Sequence, residues 1–358
     1  MRKVKEFNKV SFYKNEQSGI FLQGNGKIGL LNRNLDFEYE LLNLNDYQIV
    51  GHSKSYLVAT NFELTKFFKD GKEILCLSNY GYISNMEDLF LVEDYESGNI
   101  LSFNLGYESI LFEPTEIKQW GQVLWKKNVY VRTKNKLTSY SLPDFNPLWQ
   151  YDLPESYNWS DGGGYAHKGE VERIIGVYDG VLWFSLNSGR LLRLATEHGK
   201  LLYAISQPVI YPDGYVFREE NKYLWYGRHW QLDTENGVLF GLTSCYYFEL
   251  DLKSPNETFA LYDVSVSCEQ HSIKANMPVL EWSWQGDEIF FGDTDFRNQP
   301  SYVGIFNRQT RQITWTSREL GEEGTFKGIN KVEYQDNRLY VLDRTSTLHI
   351  FERDSTNV

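Results

Sequence analysis

The chain has 358 residues, 41% of them apolar and 16% aromatic, with 9 prolines and 23% charged residues. That makeup suits two ordinary domains or one large β-architecture, and it excludes a disordered tail or a small scaffold stapled by disulfides or metal. A net charge of -12 opposes binding to phosphate backbones, so a basic protein partner is expected rather than nucleic acid.

No apolar run approaches the roughly 18 residues of a membrane span, and residues 1–6 lack a signal peptide's apolar stretch. The expected location is the cytoplasm, with no membrane partner. Cys76, Cys245 and Cys268 are odd in number and far apart, which predicts reduced thiols.

In chain order, the elements begin with candidate strands at residues 4–7 and 9–13. Residues 21–30 are two apolar runs about Gly24-Asn25-Gly26, a second strand turning into a third. Residues 124–131 form a hairpin that returns at 177–184, 282–291 and 332–341, and Asp179-Gly180 favours the positive φ angles of a type I′ turn. Residues 184–192 continue one such hairpin into a third strand. Large apolar residues alternate with small or polar ones, the period of a half-buried strand, and helical periodicity is absent. Second strands start near residues 19, 56, 89, 129, 181, 238, 288 and 338. The count is eight units, roughly 32 to 57 residues apart, as in propeller blades. Seven is the alternative, if the long sixth unit is misdivided.

A four-stranded sheet leaves two open edges, which radial packing of blades protects. The last unit stops after a third strand at 347–351, so the N-terminal strand is expected to supply its missing outer strand. The predicted fold is all-β: a single β-propeller domain over residues 1–358, closed by its N-terminal strand.

These units resemble the blades of the quinoprotein-like and WD-repeat β-propeller superfamilies. The Thr-Gly-x-x-Leu-Trp ending of quinoprotein blades survives in Pro147-Leu148-Trp149 and Ile313-Thr314-Trp315. The Gly-His and Trp-Asp dipeptides of WD repeats are missing at regular positions. Quinone binding in that superfamily uses adjacent cysteines and calcium; no adjacent cysteines occur here, so the resemblance implies no cofactor.

Antiparallel strands alternate in direction, so the turns between strands two and three share a face with the links from strand four to the next blade. The longest excursions there are 154–172, 207–228 and 264–278, joined by the internal turn 293–301, all in blades four to seven. Long loops on a rigid scaffold are where binding groups sit. Tyr157, Trp159, Asp161, Tyr165 and His167 surround a triple glycine. No strand–helix context or Gly-Lys-Ser/Thr ending supports a phosphate cradle, so a mobile recognition loop is expected, with a plain connector as the other reading. Tyr211, Tyr215, Tyr226, Arg228, His229 and Trp230 are residue types that dominate interface hot spots. Packing between blades is the competing role for Trp225 and Trp230, and a structural role for His229.

Asp293, Asp295 and Arg297 join the candidate partner contacts, with the acid–base work of a glycoside hydrolase or lyase as their alternative. The six histidines occur singly, so no metal site is expected. Residues 74–117 hold no Lys or Arg but include Glu87, Asp88, Glu93, Asp94 and Glu96, while residues 118–136 carry Lys126, Lys127, Arg132 and Lys134 and no acid. Solvated edges explain such a pattern; so does an acidic patch that steers a basic partner. The expected function is a non-catalytic, monomeric protein-binding propeller, in its specific form an inhibitor or immunity-type protein occluding a basic toxin or enzyme. A carbohydrate-active enzyme with carboxylates at the channel mouth is the alternative.

Overall fold

Turn chemistry sets the blades. In a computed structural model of the chain, Asp179 and Gly180 have φ of 46° and 73°, and Asp336 and Asn337 have 50° and 65°. Both pairs match the mirror-image turns whose twist suits flanking strands. The first joins Val171–Tyr178 to Val181–Leu186, and the second joins Ile329–Gln335 to Arg338–Asp343.

The structure describes residues 1–16, 19–24, 27–32, 34–40, 47–52, 56–61, 63–69, 72–86, 89–98, 100–105, 113–115, 122–126, 128–141, 146–160, 164–188, 190–205, 230–243, 246–254, 259–273, 282–293 and 300–353. They form an eight-bladed β-propeller of four-stranded antiparallel sheets, sequential in blades one to seven. The second strands begin at Gly19, Tyr56, Leu89, Asn128, Val181, Val238, Glu288 and Arg338, so the eight-unit count holds over seven. Among the described residues, helix is confined to short pieces, Glu155–Tyr157, Ser265–Gln270 and Ser317–Gly324, too short to leave a periodic signature.

Outer strands such as Pro147–Asp152 mix exposed and half-buried positions, and alternation of half-buried with buried positions runs through the first four residues of the middle strand Leu64–Lys69. Second strands differ: in Tyr56–Thr60 and Val181–Leu186 all but one end residue is buried. A blade is covered on both faces by its neighbours, so its central strands read as continuous apolar runs.

The chain divides into two compact units, residues 1–116 with 269–358, and residues 117–268. The first unit holds blades one, two, three, seven and eight. Its apolar clusters lie between successive blades: Phe290, Ile305, Val332 and Phe351 between seven and eight; Tyr13, Leu22, Tyr340 and Ile350 between eight and one; Ile28, Leu57 and Phe68 between one and two; and Val58, Phe67, Phe90 and Phe103 between two and three. Phe67 meets Phe90 and Phe103 edge-on at 5.2 and 5.3 Å. The second unit holds blades four to six. Tyr130, Leu137, Leu182 and Phe184 pack blades four and five, and Trp183, Leu191, Leu239 and Phe248 pack five and six.

Closure follows the expected scheme. Arg2–Phe7, two residues longer than predicted, pairs antiparallel with Leu348–Glu352 as the fourth strand of blade eight. The chain then turns into blade one with Val10 N–H donating to the Ser346 carbonyl at 2.7 Å.

Candidate protein-docking face

The link from blade four to blade five carries the first group of candidate residues. Blade four ends at Asp152, and Leu153 N–H donates to the Asn135 carbonyl in that blade's turn between strands two and three. A 3-10 turn at Glu155–Tyr157 then buries the Tyr157 ring beneath the Arg190 guanidinium, 5.0 Å from the ring centre. Burial pushes the Arg190 pKa down from its ordinary value, opposed by the charge of Tyr157.

Beyond the 3-10 turn the chain makes a hairpin, Trp159–Ser160 against Ala166–His167. Trp159 faces His167 across it, the rings stacked at 4.5 Å and 23°. Asn187, in the turn between strands two and three of blade five, holds this hairpin to the scaffold. Its Oδ1 accepts from Trp159 Nε1 at 3.3 Å and from Glu170 N–H at 3.0 Å, while its Nδ2 donates to the Lys168 carbonyl at 2.9 Å. Asn158 Oδ1 accepts from Gly169 N–H at 3.0 Å. At Gly169 only glycine fits, because a Cβ would stand 2.7 Å from the Tyr157 carbonyl oxygen. The link and the strand two–three turns of blades four and five are thus joined on one face, as strand direction requires.

The hairpin is therefore seated at both stems. From it Tyr165 projects with 70% of its surface exposed, and Gly164, at φ 81°, has open space where a Cβ would be. Beside the hairpin, Lys134 reaches toward Glu170 at 4.0 Å and Val171 N–H donates to the Lys134 carbonyl at 2.7 Å. Asp161 lies outside the described residues.

Of the second group, Tyr211, Tyr215, Tyr226, Arg228 and His229 lie outside the described residues. Trp230 is 1% exposed and meets Phe248 edge-on at 4.6 Å, within the cluster between blades five and six. Asp293 ends the second strand of blade seven, paired with Tyr302; its side chain, Asp295 and Arg297 lie outside the described residues. Cys76 and Cys268 are free thiols, and Cys245 falls outside the description.

In the acidic segment, Glu93 and Asp94 end the second strand of blade three, and Glu96 lies in the turn that follows. Asp94 accepts from Ser97 Oγ at 2.6 Å and Glu96 N–H at 3.0 Å, and these bonds hold its carboxyl below the usual carboxylate range. Asn79 Nδ2 donates to Glu96 at 2.9 Å. Glu87 and Asp88 lie outside the described residues. Sequence reasoning missed Tyr95, exposed at the start of this turn with its hydroxyl over Gly81, where a Cβ would meet it at 2.3 Å. The pinning asparagines were also missed; Asn187, at the head of a polar turn, carried the only local signal.

No family model matches the chain, and no curated protein matches it in sequence. Solved structures do. BamB from Moraxella catarrhalis is similar with a TM-score of 0.59 at 13% identity, covering 98% of this chain and 99% of that one. Saccharomyces cerevisiae Sqt1 gives 0.57 at 10% identity, and the computationally designed Ika8 protein 0.55 at 9%, each covering 99% of this chain and 100% of the other. The likeness is one of fold. Blade for blade the chain is a propeller, and at such identities propellers share architecture without sharing sites.

Proposed function

We propose that this propeller is a non-catalytic protein-binding module that docks its partner on the hairpin between blades four and five. One observation carries the reading: an aromatic hairpin is fastened by side-chain hydrogen bonds to the rigid turn of blade five and presents Tyr165 to solvent. A fixed aromatic anchor loses little conformational entropy on binding, which is why such residues dominate interface hot spots. The exposed Tyr95 amid Asp94 and Glu96, with the net charge of -12, supports a basic partner attracted before contact. An inhibitor or immunity-type protein that occludes a basic toxin or enzyme is the specific form of this proposal, acting as a cytoplasmic monomer with no nucleic-acid or membrane partner.

The test is affinity capture from the native host with wild-type and Tyr165→Ala protein, followed by titration of the partner recovered. The variant is expected to melt with the wild type and to bind at least about tenfold more weakly. Recovery of no partner, or a Tyr165→Ala protein that binds as well as wild type, rejects the proposal.

A further inference from the structure

In blade eight, one imidazole stands between carboxylates from two different strands. His349 lies in the third strand, Leu348–Glu352, and is buried. Its Nε2 is 3.0 Å from Oδ2 of Asp343, which ends the second strand. Its Nδ1 is 3.3 Å from Oε2 of Glu6 on the closing strand, at ion-pair distance without an aligned hydrogen bond. The chain of groups Asp343, His349, Glu6 therefore crosses three strands, the last of them the N-terminal strand that shuts the ring.

The surroundings leave few other partners. Asp343 Oδ1 already accepts from Thr345 N–H, Thr345 Oγ1 and Thr347 N–H at 2.8, 2.7 and 3.0 Å. Lys3 donates to Glu6 from the same strand. Phe326, from the link between blades seven and eight, covers the imidazole edge-on at 5.0 Å. Among the described residues, Asp343 and Glu6 are the charged groups at ion-pair distance from His349, with Lys3 behind Glu6, and Phe326 lies on its aromatic side.

Ionised carboxylates only accept hydrogen bonds, and a neutral imidazole has a single N–H to donate. Of the two carboxylates, a neutral His349 satisfies one and turns a lone pair toward the other; an imidazolium satisfies both. We propose that His349 is a proton-operated clasp: doubly protonated, it ties the closing strand to the body of blade eight, and loss of one proton weakens that tie. Both carboxyls sit below their ordinary values. For Glu6 the Lys3 hydrogen bond is the largest cause, with His349 adding to it against burial; for Asp343 burial acts upward and is outweighed by bonds from Thr345, His349 and Thr347. They remain ionised until the medium is more acid than their ordinary range, so the clasp has an acid limit as well as an alkaline one.

Hydrogen exchange of the full-length chain tests this through the amides of Arg2–Phe7, with protection factors corrected for intrinsic rates. Wild-type protection is expected to fall about tenfold between pH 6 and 8.5. It should fall again once the medium is more acid than the ordinary carboxylate range, as Glu6 and Asp343 take up protons. In His349→Gln the change between pH 6 and 8.5 is expected to vanish. Should that variant fail to fold, Glu6→Gln decides: the Glu6 side chain is partly exposed, and an amide there can donate to the ring nitrogen as well as accept, so its protection should be nearly flat over the same window. Equal wild-type protection at pH 6 and 8.5, or a Glu6→Gln protein with the full tenfold change, overturns the clasp.

Discussion

Asn187 does for the hairpin between blades four and five what backbone pairing alone cannot, because a pairing of two residues per strand is too short to hold itself in water. Its amide both donates and accepts, matching the Lys168 carbonyl on one side and the Trp159 and Glu170 N–H groups on the other. Replacing it by alanine removes three hydrogen bonds at about 1 kcal/mol each and leaves part-buried groups unmet. Asn187→Ala is thus expected to lower unfolding stability by about 3 kcal/mol in urea and to speed amide exchange in residues 158–169 ahead of the rest of the chain. At this scale the sequence was partly legible. Tyr157, Trp159, Tyr165 and His167 stood out by type, yet type says nothing of direction: Tyr157 is buried under Arg190 and Tyr165 faces solvent. Trp230 carries the same hot-spot signature as Trp159 and is packed into the core.

The strand that closes the ring is the element with the most depending on it. Arg2–Phe7 contributes backbone pairing along blade eight, the Arg2–Glu352 ion pair at 3.3 Å, and Val4 and Phe7 to the cluster between blades eight and one. Without it, Leu348–Glu352 becomes an open edge beside a cluster stripped of two apolar residues. A chain lacking residues 1–8 is expected to melt many degrees below the full-length protein by circular dichroism; an unchanged midpoint would refute closure as a source of stability. The surface ion pair contributes little of this, since exposed pairs are worth about 0 to 1 kcal/mol, so raising salt should not reproduce the deletion. Hairpins such as 177–184 and 332–341 were readable because turn residues and strand propensity are local. The assignment of residues 2–7 to the last blade was readable only by counting a missing strand.

Across the molecule, acid outweighs base by 48 residues to 36, and the described turn of blade three places Asp94 and Glu96 around an exposed Tyr95. A field of that sign acts on encounter more than on the final contact. Association with the captured partner is therefore expected to slow by about tenfold or more between low and physiological salt, in stopped-flow mixing, while the dissociation rate changes little. A rate indifferent to salt would remove charge steering and leave the aromatic hairpin as the sole basis for recognition.

Periodicity and turn dipeptides, which rest on neighbours in the chain, favoured eight blades by themselves with seven left open, and counting a missing outer strand pointed to closure by the N-terminal strand; the tertiary structure decided for eight. The inner strands' continuous burial, the seating of the 158–169 hairpin by Asn187, and the meeting of Asp343 and Glu6 on His349 were decided only in three dimensions. Those features depend on side chains brought together from distant positions, 337 residues apart in the case of Glu6 and Asp343 (343 − 6), and no local pattern encodes which of them will face one another.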